Sequence, residues 1–364
     1  NAVILRQIAM HRGLIRGYSD LDFEKRHRNA LAMLKKIYGD DADILDVARI
    51  LRDIGLVYSQ KGDHTTSIEY RKKSLAMLLR IFGEDSNHLD IAKLLNNLAA
   101  DYTMLGEYET ALSYFHKSLD MRRIIYGTEN AHPDIALMLN NIGTTYEESG
   151  DLDGAKNYLR ACLEMVGKIY GDRKPNRLLG AVHNNLGAVC NALEQFSEAE
   201  THLNTSLLYY ASTDDHDGYT YGTAEALKRV SLNYLDMGRH KDGEDAARKA
   251  LDLWIQMLGA ESTNLHTGET SHYLANSLRK QGMLNESAEH YERALNIYKA
   301  NRHCKATHAA ALLMDVHDLH HEKGELQKAA FYLSQARDSI KGEHVAKLRP
   351  KDQKLLLKLA KAQA

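Results

Sequence analysis

Proline is almost missing from this chain: three residues in 364. Proline breaks helix interiors and marks turns, so its scarcity favours long helices. Tryptophan occurs once and phenylalanine five times, leaving tyrosine, at 20, as the main aromatic. The three cysteines, Cys162, Cys190 and Cys304, are odd in number and lack a short spacing. That excludes a disulfide framework and points to a reducing, cytoplasmic setting. Neither charge sign dominates; the formal net charge is -2. No strong overall field exists to gather nucleic acid or an anionic membrane. No apolar run approaches the roughly 18 residues that a membrane span needs, and no signal-peptide pattern opens the chain. The chain starts on Asn1 rather than Met, so it is expected to be a piece of a longer protein with further domains. What remains, 44% hydrophobic and 26% charged, suits a folded soluble protein.

What the chain does have is internal self-similarity, the first thing to test in a sequence of this length. The segments LLNNLAADYTMLGEYETAL, MLNNIGTTYEESGDLDGAK and VHNNLGAVCNALEQFSEAE align on the small residues Ala99, Gly143 and Gly187. The column extends back to Gly55 and forward to Ser231, Ala275 and His317, in steps of 44, 44, 44, 44, 44 and 42 residues. Three residues later stand Tyr58, Tyr102, Tyr146, Cys190, Tyr234, Leu278 and His320. Seven later comes a turn glycine, at Gly62, Gly106, Gly150, Gly238, Gly282 and Gly324, with Glu194 as the exception. Columns at twelve and nineteen later hold small residues, among them Ala111, Ala155 and Ala199, then Ser74, Ser118, Cys162 and Ser206.

Before the turn, Leu95, Leu98 and Tyr102 recur at three- and four-residue spacing, one face of a helix. After it, Ala111, Phe115, Ser118 and Leu119 do the same. The glycine supplies the left-handed backbone that stops the first helix. Each unit is therefore an antiparallel helix pair. Neither helix can bury its apolar stripe alone, so the units must stack. Tyr38-Gly39, Phe82-Gly83, Tyr126-Gly127 and Tyr170-Gly171 close the second helices with an aromatic plug and a glycine. Asp or Asn is expected to cap the helix that follows. Pro133 sits in a first turn, where its missing N–H is harmless.

These columns resemble the tetratricopeptide repeat, whose usual length is 34 residues. The strings FGEDSNHLDIAKLLNNLA (82–99) and YGTENAHPDIALMLNNIG (126–143) are similar to the long-helix variety of kinesin light chains, nephrocystin-like proteins and the arrays attached to NACHT or NB-ARC nucleotide-switch receptors. The resemblance covers about residues 20–340. It implies an all-α, right-handed α-α superhelix of about eight helical hairpins. The expected divisions are a degenerate hairpin at 1–44, whose first helix AVILRQIAMHRGLI lacks the pattern, and seven hairpins at 45–88, 89–132, 133–176, 177–220, 221–264, 265–306 and 307–345. A basic amphipathic helix at 346–364 is expected to cap the stack. Between hairpins, YYASTDDHDGYTYG carries Asp214, Asp215 and Asp217 and is expected to be a loop at 213–218. Its spacing does not make a calcium loop.

The same resemblance implies that the first helices line an inner, concave surface that holds a peptide or helical segment. Three residues before the small one stand Arg52, Asn96, Asn140, Asn184, Lys228, His272 and Met314; beside them stand Asp53, Asn97, Asn141, Asn185, Arg229, Tyr273 and Asp315. Asparagine is a mediocre mid-helix residue, so three Asn-Asn pairs need a cause. One amide offers two donors and an acceptor, and can bond an extended peptide backbone without regard to its side chains. By resemblance to kinesin-light-chain-like arrays that role is carried to Asn96, Asn140 and Asn184. A plainer use, bonding a neighbouring helix across the hairpin junction, is assigned to Asn97, Asn141 and Asn185. Arg49, Arg52, Lys93, Lys228 and His272 complete the expected groove, with Arg229 beside it, as partners for acidic groups; Glu147 and Glu148 favour a ligand of mixed charge.

No catalytic constellation or phosphate-binding glycine loop of the GxxxxGK[ST] or GxGxxG type is present. No cofactor and no metal is expected: His317 and His321 lie one helical turn apart but lack a third ligand, and Cys162 and Cys190 fall in packing columns. The expected function is a protein-interaction scaffold of the cargo or adaptor type. Two alternatives stay open: the sensing or autoinhibitory region of a nucleotide-switch receptor, and the substrate-recruiting region of a multidomain enzyme. Membrane and nucleic-acid partners are not expected.

Overall fold

The computed structural model describes residues 20–39, 43–128, 130–171, 177–212, 221–301 and 305–340. The expected first helix before residue 20, the 213–218 loop, Cys304 and the 346–364 cap lie outside the described residues. Among those described, the chain is all-α, with fifteen helices and no strand. The chain divides into two compact units, residues 1–148 and 149–364.

In the first unit α1 (Asp20–Tyr38) packs on α2 (Leu45–Gln60). That helix pairs with α3 (His64–Phe82), α4 (Leu89–Met104) pairs with α5 (Tyr108–Tyr126), and α6 runs from Pro133 to Ser149. The second unit holds α7 (Leu152–Tyr170), the pair α8 (Arg177–Ala192) and α9 (Phe196–Ser212), and the pair α10 (Tyr221–Asp236) and α11 (His240–Leu258). It continues with α12 (Leu265–Lys280) and α13 (Leu284–Ala300), then α14 (Ala306–Glu322) and α15 (Leu326–Ser339). Each pair is antiparallel, as the turn glycines require.

The spacing explains the helices. On α4, Ile91, Leu94, Leu95, Leu98 and Tyr102 are all buried, an i, i+3, i+4, i+7 stripe that has no shelter within its own helix. A core cluster joins α1, α2, α3 and α4 through Leu34, Ile50, Ile54, Leu78 and Leu94. Its counterpart in the second unit draws on α12 to α15, through Tyr291, Ile297, Leu312 and Val316.

The turn column behaves uniformly. Gly62, Gly106, Gly150, Gly238, Gly282 and Gly324 all have φ between 74° and 91°, and Glu194, alone among the described non-glycine residues, takes φ 62° in the same slot. Gln195 N–H donates to the Cys190 carbonyl at 2.8 Å there, as Glu107 N–H does to Tyr102 at 2.9 Å. Both are the six-to-one bond of a helix-ending motif. The fold imposes the turn, and the glutamate bears its backbone cost.

Two local expectations change. Aspartate does cap second helices: Asp63 accepts from Thr66 N–H at 3.0 Å and Asp151 from Gly154 N–H at 2.9 Å. The helices after the linkers are capped differently. His88 Nδ1 accepts from Asp90 N–H and His132 Nδ1 from Asp134 N–H, each at 3.1 Å. Among the described residues, only α12 has the expected Asn cap, Asn264. The reason is the aromatic plug: Phe82 stacks on His88 at 3.7 Å and Tyr126 on His132 at 3.5 Å, which holds each ring with Nδ1 toward the helix start.

The serine columns also do more than stay small. Ser74, Ser118 and Ser206 donate to the carbonyls of Ala48, Ala92 and Gly180 at 2.6, 2.7 and 2.8 Å. Each bond spans 26 residues, from second helix to first. Ser231 and Ser287 make equivalent bonds elsewhere on the pair, to Gly243 and Ala275 at 2.8 Å. His317, bulky in a small column, is accommodated the same way, with Nδ1 2.9 Å from the Ala329 carbonyl.

Candidate peptide-binding face

In the first unit the first helices α2, α4 and α6 follow one another along one face. Arg49 Nε and Nη2 both donate to Asp90 Oδ2, at 3.1 and 2.8 Å, linking α2 to α4. Arg52 donates twice to its neighbour Asp53 Oδ1, at 3.0 and 2.9 Å, and lies 3.8 Å from Asp90. Lys93 is exposed, and Asn96, Asn97, Asn140 and Asn141 are half-buried. Asn141 Nδ2 donates to Asn96 Oδ1 at 3.1 Å, and Asn96 Nδ2 to Asn97 Oδ1 at 3.2 Å. The amides thus form a ladder from α6 to α4. Further along the same two helices, the hydroxyls of Thr103 and Thr145 meet at 3.2 Å.

Beneath this ladder lies a buried ionic knot. Asp101 accepts from Arg71 Nη1 and Ser67 Oγ at 2.5 Å and from Ser59 Oγ at 2.8 Å, with His64 Nδ1 at 3.0 Å. Arg71 also donates to the Asn97 carbonyl at 2.5 Å. Gly55 makes room for it: a Cβ there would stand 2.8 Å from Arg71 Cγ. Burial pulls the Arg71 pKa down, opposed by the Asp101 charge and hydrogen bond.

The second unit treats the same columns differently. Asn184, on α8, is buried, and its Oδ1 has no hydrogen-bond partner. Lys228, on α10, is also buried, with Nζ 2.6 Å from Glu269, 2.9 Å from Glu225 and 3.1 Å from His266 Nδ1. Arg229 Nε donates to Glu225 at 3.1 Å. Burial works against ionisation of Glu225, yet Lys228, His266 and Arg229 outweigh it and hold the carboxyl well below its usual range. Burial likewise opposes the Lys228 charge, and Glu269 with Glu225 overcomes it, raising that pKa. His272, on α12, is buried with Nε2 2.7 Å from Asp315 on α14, which also accepts from Asn276 at 3.1 Å. Arg279 donates to Glu322 at 3.0 Å on the same pair of helices.

Of the eight expected groove residues, the structure brings Arg49 and Arg52 to one carboxylate and sets Asn96 in the amide ladder near Asn140. Lys93 stands in the open. Lys228 and His272 turn into separate ionic clusters, and Asn184 is sealed. The acidic partners Asp90, Glu225, Glu269 and Asp315 were missed by sequence reasoning. Asp90 carried a signal, the HLD string that recurs as HPD at Asp134. Of the two histidines weighed as a metal pair, His317 is taken up by the Ala329 carbonyl, while neighbouring His320 pairs with Glu325 at 2.8 Å. A different group had no sequence signal: Cys190, Glu198 and His202 each bring one potential ligand atom within 4.8 Å of the others. No helix among the described residues is long and apolar enough to cross a membrane.

The sequence profile of the tetratricopeptide repeat matches residues 46–124, 90–168, 134–207 and 222–300. No curated protein matches the chain. Among solved structures, the apo form of the quorum sensor NprR from B. thuringiensis is similar, with TM-score 0.66 and 14% identity over 93% of this chain and 86% of that one. A Rap protein complexed with Competence and Sporulation Factor has TM-score 0.55 and 15% identity, covering 93% of this chain and 92% of that one. The nearly identical repeats of a kinesin light chain homologue from Podosopora anserina have TM-score 0.46 and 17% identity, over 59% of this chain and 99% of that one.

Proposed function

The chain belongs to the tetratricopeptide repeat family, and from that premise we propose that it is a protein-interaction scaffold holding an extended peptide on the amide face of its first unit. The observation that carries this reading is the ladder of Asn141, Asn96 and Asn97 across two successive first helices. Neutral amides at half-buried positions hold few fixed charges and keep lone pairs and N–H groups to spare. A peptide backbone repeats a donor and an acceptor along its length, so it matches a surface of this kind without dependence on side-chain identity. Lys93, exposed one turn from Asn96 and Asn97, adds a point charge for an acidic group. Arg49 and Arg52, shared with Asp90, can do the same where a stronger carboxylate displaces their partner. The solved Rap protein, complexed with Competence and Sporulation Factor, supports the use of this fold as a binder; at 15% identity it supports no more than that.

The chain works by binding rather than by catalysis on this reading, and three cysteines without a disulfide-framework spacing support a cytoplasmic placement. The test is affinity capture and binding to arrayed extended peptides, with the chain beside an Asn96/Asn97/Asn141→Ala triple variant. The expected outcome is loss of the bound peptides with an unchanged helical signal. Peptides that bind both proteins equally would place the surface elsewhere.

A further inference from the structure

The internal register makes one hairpin stand out. Positions three and fifteen after the small residue form a stacked aromatic pair across the helix pair: Tyr58 on Tyr70 and Tyr102 on Tyr114, both at 5.6 Å, and His320 on Tyr332 at 5.2 Å. Around Gly187 those two positions are Cys190 and His202. Four residues before the small one stand Leu51, Leu95, Leu139, Leu227, Ser271 and Leu313; in this hairpin the position is His183. Three columns that are mostly apolar or aromatic thus change to metal-ligating types within one unit, and the changed residues meet. Cys190 Sγ, a Glu198 carboxylate oxygen and a His202 ring nitrogen all lie within 4.8 Å of one another. His183 Nδ1 is 3.0 Å from His202 Nδ1.

The chemistry is coherent. Glu198 and His202 are one turn apart on α9, and Cys190 faces them from α8. His202 Nε2 is 3.8 Å from Glu198 Oε1, while its Nδ1 is engaged by His183. One of the two Nδ1 atoms must carry the shared proton. When His202 donates it, Nε2 keeps its lone pair on the side of the Glu198 carboxylate. A ligating histidine almost always has its other nitrogen fixed in this way. Metal–ligand lengths of about 2.0–2.3 Å ask each side chain for only a small rotamer adjustment. Lys156 and Arg160 bond Glu198 at 2.8 and 3.1 Å, and Lys156 also bonds Gln195 at 2.5 Å. Each carboxylate oxygen keeps a second lone pair for an ion.

We propose that Cys190, Glu198 and His202, oriented by His183, bind a divalent transition-metal ion of the zinc class. The thiol selects a borderline-soft ion over magnesium or calcium. On binding, Cys190 gives up its S–H proton to solvent, and Lys156 and Arg160, which hold Glu198 in the ion-free protein, yield their place so that thiolate and carboxylate balance the ion's two charges. Glu198 also lines a cleft of about 500 Å³ with Glu194, Gln195, Phe196, Ser197 and Met237, and a water or a partner's donor would complete the shell. The ion takes the place of the aromatic stack as the clamp between α8 and α9.

The experiment uses the whole chain, titrated with Zn²⁺ against a chromogenic chelator and with Co²⁺ as a spectroscopic probe. One ion per chain is expected, with a thiolate-to-cobalt charge-transfer band. Cys190→Ser and His202→Ala each abolish the band, and Cys162→Ser and Cys304→Ser leave it intact. His183→Leu keeps the stoichiometry but weakens binding by about 10–100-fold. Cys190→Tyr with His202→Tyr restores the aromatic pair, so it folds and unfolds cooperatively without any response to Zn²⁺. A wild-type chain lacking the band, a band that survives Cys190→Ser, or equal zinc affinity in the double variant would overturn the site and assign any bound zinc to surface histidines.

Discussion

The two units use one register to build two kinds of first-helix face. In the first, the column before the small residue holds amides that bond one another near the surface. In the second, it holds Lys228 and His272, drawn inward to Glu225, Glu269 and Asp315. The difference shows what a repeat does and does not specify. The register sets where a side chain emerges. Whether that side chain meets solvent, an amide or a buried carboxylate depends on the residue one repeat further along. The amides stay adaptable because they commit no charge, whereas an ion pair, Arg49 with Asp90 in the first unit or Lys228 with Glu269 in the second, locks its helices together.

The largest expected effect comes from breaking the ionic face. Lys228→Met leaves Glu225 and Glu269 without their shared cation and should cost about 3–5 kcal/mol, as removal of one buried partner does, read as a fall in the denaturant midpoint. Asn96→Ala in the first unit should cost far less, and equal losses would erase the contrast. The same cluster sets a pH signature. Glu225 and Glu269 have lowered pKa values in the fold, so the unfolded chain takes up protons first. Their stabilisation is whole above the ordinary carboxylate range and fades as pH falls through it toward the folded values. Unfolding curves between neutral and acid pH should steepen in this dependence for the wild type and flatten for Lys228→Met.

Gly187→Ala comes next, at about 1–3 kcal/mol for overpacking. The new Cβ would stand 2.5 Å from Leu203 Cγ, and Leu203 is itself fully buried. The equivalent Ala99 is fully buried with its methyl in place, so one column accommodates in one hairpin what it refuses in another. A thermal shift of the variant checks this. Asn141→Ala removes one rung of the ladder and should cost about 0.5–1.5 kcal/mol, measured by chemical unfolding. Glu194→Gly should go the other way, gaining about 1 kcal/mol by relieving a left-handed residue. A loss there would mean that Glu194 holds the turn through its side chain.

Much of this was legible before any coordinates. Gly62 through Gly324, Leu95, Leu98 and Tyr102 announce helix pairs because they act within a few residues of one another. The linker caps were misjudged because His88 and His132 act through a ring stacked on Phe82 and Tyr126, which propensity alone does not convey. Of the candidate face, the Asn-Asn pairs could be picked out, and with them a bond from Asn141 to a neighbouring helix, but not that its partner there would be the groove amide Asn96. Cys190 looked like a packing thiol, since its column is a packing column. His202 and Glu198 become its neighbours only when α8 and α9 are set side by side.

Taken alone, the residues determined an all-helical chain of repeating pairs, their turns and their buried stripes, since periodicity and turn chemistry are local. Only the tertiary structure decided which polar groups are spent and which remain. Those partners, Arg49 with Asp90, Lys228 with Glu269, His272 with Asp315, lie 41 to 43 residues apart. At that separation a hydrogen bond a few ångströms long exists or fails by the packing of whole helices.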